Sequence, residues 1–157
     1  MSEEDRQPRP PAVLFRSFLL IAGFYVLNIL VMGAATVFLL AFFFPDSFEI
    51  LNADKKAFKT IFETEPERVF PPVLLWILLG ISAAVCFVLG YFVARLAPIS
   101  KFPHSIFFSA ILFVQYLQMA IGATDTMQRM FVLFMAVSPV AAILGANWYL
   151  RSIWPKE

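Results

Sequence analysis

Residues 17–44 read SFLLIAGFYVLNILVMGAATVFLLAFFF, with Asn28 as the one strongly polar interruption. As a helix this stretch would be about 42 Å long, more than the roughly 30 Å hydrocarbon core of a bilayer. A tilted span that protrudes at one end accommodates such a length. A cleaved signal peptide carries an apolar region of only about 7–15 residues, so the stretch is expected to remain as an anchor. Three more runs of the same character follow, at 73–94, 105–123 and 130–150, each near the roughly 20 residues that a crossing needs. The fold expected from them is an all-α membrane protein, a four-helix transmembrane bundle spanning 17–150.

Composition agrees with that reading. Of the 157 residues, 61% are hydrophobic and 15% charged, and the mean hydropathy is +0.79. Soluble chains have roughly 45–50% and about 25%. A globule of this length cannot hide so much apolar surface, because it must still cover itself with polar groups. The 19 phenylalanines suit lipid-facing and helix-packing surfaces. A net charge of +1 gives no field to attract nucleic acid, and none is expected as a partner. The single cysteine, Cys86, stands among Ala83, Ala84, Val85, Phe87 and Val88, and is expected to behave as a small hydrophobe.

Outside the spans lie a polar, proline-rich tail over 1–16 that begins MSEEDRQPRPPA, a loop over 45–72, and a short tail over 151–157. The first tail cannot build a core and is expected to be disordered. Within the loop, Leu51, Phe58 and Phe62 share one helical face, as do Ile50, Ala57 and Ile61, while Lys55, Lys56 and Lys59 take the rest of the circumference. That spacing predicts an amphipathic helix of about four turns against the membrane surface or the mouth of the bundle. Asp46 and Glu49 have the spacing of a capping box for its start. Asp125 or Thr126 is placed to cap the last span, and Pro139 to kink it.

Basic residues set the expected orientation. Arg6, Arg9, Arg16, Arg95, Lys101, Arg151 and Lys156 fall on one side; Lys55, Lys56, Lys59, Arg68 and Arg129 fall on the other. The richer side is cytoplasmic by the positive-inside rule, which puts both termini there and the 45–72 loop outside. Trp148, Tyr149, Trp154 and Tyr91 at the inner edge and Trp76 at the outer one stand where an aromatic belt would form.

Function in such a chain is to be sought among interior polar groups and close-packing seams. No Asp, Glu, Lys or Arg falls mid-span, which argues against a pump driven by protons or cations. His104, Phe108, Ile111, Gln115, Gln118 and Gly122 share one face of the third span, and Ser105, Ser109 and Tyr116 a second. These groups either line a path or bond to neighbouring helices; the latter is the commoner fate of such side chains and is the expectation. Asn28 and Asn147 are read in the same way. Small residues recur four apart at Gly80/Ala84, Gly90/Ala94, Ala141/Gly145 and Ala142/Ala146, where backbones can approach either within the bundle or between two copies.

Signs of catalysis are thin. Gly80-Ile-Ser82-Ala83 resembles the serine motif of intramembrane rhomboid proteases, but Ala83 stands where that motif has glycine and four spans fall short of that fold. The lone histidine, His104, sits at a membrane edge, too far in depth to serve a mid-span serine. No metal-ligand cluster or phosphate loop is present in the sequence, so neither cofactor nor metal is expected.

The stretch Gly90-Tyr-Phe-Val-Ala-Arg95-Leu-Ala followed by His104-Ser resembles a pattern in small bacterial four-span membrane proteins that carry no assigned activity. The resemblance implies a multi-pass protein of a bacterial inner membrane. The expected role is a non-enzymatic accessory or scaffold subunit that assembles with membrane partners or with itself. The alternative is a small oligomeric transporter or channel that uses the polar face of the third span.

Overall fold

The computed structural model describes residues 11–98, 100–121 and 125–153. They form an all-helical protein with seven helices among the described residues, four of them long and apolar enough to cross a membrane. The long ones are α1 (Pro11–Phe43), α5 (Pro72–Leu96), α6 (Lys101–Ile121) and α7 (Asp125–Ile153). Three short helices, α2 (Pro45–Leu51), α3 (Lys55–Thr64) and α4 (Pro66–Val69), connect α1 to α5.

Prolines punctuate these elements as their chemistry requires. Phe44, held before Pro45, takes φ −136° and ψ 61°, and the long helix stops there. Pro71 is extended at φ −55° and ψ 141°, and Pro72 opens α5 at a position whose N–H needs no partner. Pro139 lies inside α7 without ending it, and leaves the Met135 carbonyl without its usual helical donor. The helix of 17–44 begins earlier than expected, at Pro11, so residues 11–16 belong to it and not to the tail. The rest of the expected disordered tail, Gly122, the side chains of Asp125 and Thr126, and Trp154 lie outside the described residues.

The loop departs from the expected single four-turn helix. It breaks at Asn52–Asp54, because the Asn52 side chain donates back to the Phe48 carbonyl at 2.9 Å and the Ala53 amide turns to Ile50. Asparagine and aspartate offer the backbone such local bonds and so end helices readily. The Asp46–Glu49 capping box does not form: α2 begins with Pro45, and no side chain caps it. Ser47 donates to the Arg68 carbonyl at 2.7 Å and ties α2 to α4, while Val69 is buried beneath.

Residue pairs give the helix directions. Lys101 meets Tyr149 and Tyr116 meets Phe134, so α6 and α7 are antiparallel. Ser82 meets Ser138 and Tyr91 meets Tyr149, so α5 and α7 run parallel. Asn28 meets Cys86, while Ile21 clusters with Val93 and Leu40 with Leu74, so α1 is antiparallel to α5. Helix α7 packs along both α5 and α6, whereas α1 leans mainly on α5 and touches α6 far less. Among the described residues of α1, those buried are Ile21, Asn28 and Leu40.

The core has two apolar layers. Ile21, Cys86, Leu89, Val93, Phe108, Leu112 and Ala142 fill one end of the bundle. Leu40, Leu74, Leu78, Leu79, Tyr116 and Phe134 fill the end nearer the loop, with Phe44, Phe48 and Phe70 packed over them. Ser82 and Ser138 are fully buried between the layers.

Candidate functional site

At mid-bundle the chain buries a set of hydroxyls where hydrocarbon would be expected. Ser82 on α5 lies 2.8 Å from the Ser138 hydroxyl on α7 and 3.1 Å from the Tyr116 hydroxyl on α6. One turn along α5, Cys86 donates weakly to the Asn28 side-chain carbonyl on α1 at 3.7 Å. Four helices thus contribute to one polar belt. Each hydroxyl has a partner, as a buried polar group must if it is not to cost free energy.

Beside that belt, toward the loop, lies a cavity of about 550 Å³. Its polar lining is Asn28 and Thr36 from α1 and Gln115, Tyr116 and Gln118 from α6. Its walls are apolar, with Met32 on α1, Leu75 and Leu78 on α5, and Phe131 and Phe134 on α7. Phe62 of α3 and Phe70 close the end nearest the loop; their rings meet edge to face at 6.5 Å, and Phe62 also stacks on Phe58 at 5.7 Å. Ile29 and Gly33 on α1 and Gln118 and Met119 on α6 are the exposed members of the lining. They place the mouth between α1 and α6, which touch far less than α1 and α5 do. No charged side chain is among the lining residues.

The polar lining is unevenly satisfied. Thr36 donates to the Met32 carbonyl at 2.8 Å, as threonine in a helix commonly does, and Tyr116 is held by Ser82. Gln115 is different: its side-chain oxygen is buried and has no partner among the described residues. An orphaned acceptor of this kind costs about 1–3 kcal/mol.

Of the polar residues singled out in the sequence, Asn28, Gln115 and Gln118 come together on this cavity. His104 does not join them. It sits at the start of α6, where its Nδ1 donates to the Ser100 carbonyl at 3.0 Å across a turn that holds Ser100 at φ 45°. The buried face of α6 carries Ser105, Phe108, Ser109, Leu112 and Tyr116, so Gln115 and Gln118 stand at its flank, toward α1.

The glycines also separate. A Cβ on Gly90 would overlap the Ala142 carbonyl, and one on Gly145 the Phe87 carbonyl, so both sit in the contact between α5 and α7. Gly80 has nothing within 4 Å of that position and faces away from the bundle. At the end of the bundle away from the loop, Lys101 donates to the Tyr149 hydroxyl at 3.1 Å, and Tyr149 meets Tyr91 edge to face at 5.3 Å.

The Ser82–Ser138–Tyr116 belt escapes a reading of single helices, since each hydroxyl alone is unremarkable. Its signal was depth: Ser82 and Ser138 fall near the middle of spans that run in the same direction. No family model, curated protein or solved structure matches this chain.

Proposed function

We propose that this chain is a non-enzymatic accessory protein of a bacterial inner membrane, and that it holds a membrane-dissolved molecule in the cleft between α1 and α6. The observation that carries the reading is the convergence of Asn28, Gln115 and Gln118, on two helices, at one largely apolar cavity with a mouth at the bundle's side. A volume of about 550 Å³ falls within the roughly 300–1,000 Å³ typical of small-molecule sites. With both termini cytoplasmic, as the basic residues favour, the cavity lies in the outer half of the bilayer. Helix α3, with Phe58, Ile61 and Phe62 half-buried and Lys56 exposed, then rests against the outer membrane surface as an amphipathic roof.

A pore through this bundle is disfavoured. On the cytoplasmic side of the cavity, Phe108, Leu112 and Cys86 are fully buried and fill the interior. Assembly with a membrane partner or a second copy is the second reading. The light burial of α1, whose Phe15, Phe18, Leu30 and Phe42 are all exposed, favours it.

The test uses Gly33, which lines the cleft and where an added Cβ would have no atom within 4 Å, so a phenylalanine is introduced there to occupy the mouth. The protein and Gly33→Phe are purified in lipid nanodiscs, and retained small molecules are identified by mass spectrometry. A retained molecule lost in Gly33→Phe is the expected result. Equal retention by both, or none by either, overturns the cleft reading, and a stoichiometric second polypeptide would promote the assembly reading.

A further inference from the structure

We infer that the cleft holds the head of a lipid quinone, with a ring carbonyl accepting from the Asn28 amide and the hydrocarbon tail leaving through the mouth beside Gln118. The inference rests on the cleft reading and names the chemistry that the cleft selects.

Three features of the lining point to that chemistry. The first is a donor at depth. Asn28 stands near the middle of α1, lines the cavity and is only 1% exposed. Its side-chain oxygen accepts from Cys86. Of the two N–H donors on its nitrogen, the adjoining Tyr116 hydroxyl can take at most one, and the other is left for a ligand. A second amide stands at the mouth, where Gln118 is exposed and bonds to no described residue. The Gln115 oxygen is closed off inside the wall and plays no part. The second feature is the absence of charge. No lysine, arginine, aspartate or glutamate lines the cavity, and an ionised headgroup brought there would lose its hydration without compensation. The third is the aromatic and thioether surface of Tyr116, Phe131, Phe134 and Met32, which suits a flat ring through stacking and sulfur contacts.

The ligand therefore carries an uncharged acceptor that reaches mid-bundle. The ester carbonyls of phospholipids stay beneath their headgroups at the membrane interface, because drawing the charged head inward would strip its hydration. A hydroxyl brings a proton of its own that needs an acceptor, and the Asn28 oxygen already receives the Cys86 thiol. A quinone has two carbonyl acceptors, no donor and a flat ring, and a lipid tail keeps it in the bilayer. The mouth between Ile29 and Gly33 on α1 and Met119 on α6 faces that phase and gives the tail its way out.

The experiment measures binding of radiolabelled decylubiquinone to the full-length protein in phosphatidylcholine nanodiscs. Dodecylbenzene, with a ring and a tail but no oxygen, and para-dodecylphenol, with a hydroxyl in place of carbonyls, are the competitors at neutral pH. The quinone should bind saturably, and dodecylbenzene about tenfold more weakly, the difference expected for one hydrogen bond to a buried donor. The phenol should also be weaker than the quinone. Asn28→Leu should bring the quinone and dodecylbenzene to the same affinity. Gln118→Leu, at the exposed mouth where folding is not at stake, should narrow the gap between them, and Gly33→Phe should lose both.

Equal affinity of quinone and dodecylbenzene for the unaltered protein, with both lost in Gly33→Phe, overturns the quinone assignment and leaves the cleft reading standing. A preference for the quinone that survives both Asn28→Leu and Gln118→Leu also overturns the assignment, and so does the phenol binding as tightly as the quinone. Absence of saturable binding by any of the three overturns the assignment, and the separate search for retained molecules then decides the cleft reading.

Discussion

At Gly145 the difference between a hydrogen and a methyl group decides whether α7 can touch α5. A Cβ there would meet the Phe87 carbonyl, which is backbone and cannot rotate aside. Gly145→Ala should therefore push the two helices apart and destabilise the bundle by about 1–3 kcal/mol, the usual cost of overpacking a dense core. The same change at Gly80, where no atom lies within 4 Å, should shift stability by less than about 0.5 kcal/mol. Thermal unfolding in a mild detergent separates the two: a clear fall for Gly145→Ala and none for Gly80→Ala is expected, and equal midpoints would sink the seam. Both glycines belong to small-residue pairs of identical spacing, and the spacing shows only that a backbone could approach there. Which pairs meet a neighbour depends on the rotation of each helix about its axis, which no single span encodes. Gln115 poses the same difficulty, since its cavity exists only because α1 supplies the opposite wall.

Spans read from hydropathy alone agree with the observed helices to within a few residues at most ends, because a bilayer permits few alternatives to a satisfied backbone. The larger miss is the start of α1, where residues 11–16 continue the helix past the apolar run. The loop was less legible. Periodicity over 50–62 pointed to one helix, but Asn52 and Asp54 lie within it and offer the backbone local bonds that divide it into α2 and α3. What orients α3 is a tertiary contact, Phe62 against Phe70, that periodicity cannot show. Phe62→Ala removes both that contact and the stack on Phe58, and so loosens the aromatic face of α3. Limited proteolysis from the loop side should then cut near Ala53 several-fold faster, with the long helices unaffected. An unchanged rate would mean that α3 is held by something other than its aromatic face.

At the scale of the whole molecule, the tightest contact joins α5 and α7, which run in the same direction, and α6 returns between them. Helix α1 is attached to this three-helix core along one side, and its light packing leaves the cleft against α6. Parallel packing of α5 and α7 has a consequence for threading. Two helices separated by one intervening span can run parallel only if that span crosses completely, so α5, α6 and α7 must all cross or none does. Helix α1, antiparallel to α5, adds the fourth crossing. The α2–α4 loop and the end of α7 then face opposite sides of the membrane. A single cysteine at Lys56, exposed on α3, and another at Ser152, exposed near the end of α7, report this in a Cys86→Ala background. An impermeant maleimide added to intact cells should label the Lys56→Cys protein and spare Ser152→Cys until the membrane is opened. The reverse pattern would keep four crossings and invert the orientation, so that the cavity would open to the inner leaflet. Labelling of both from one side would mean that an even number of the three long helices between the labels crosses, and the parallel pairing of α5 with α7 would then have to form outside the bilayer, where the exposed Phe107, Val114 and Leu144 on this core would have no apolar phase to meet.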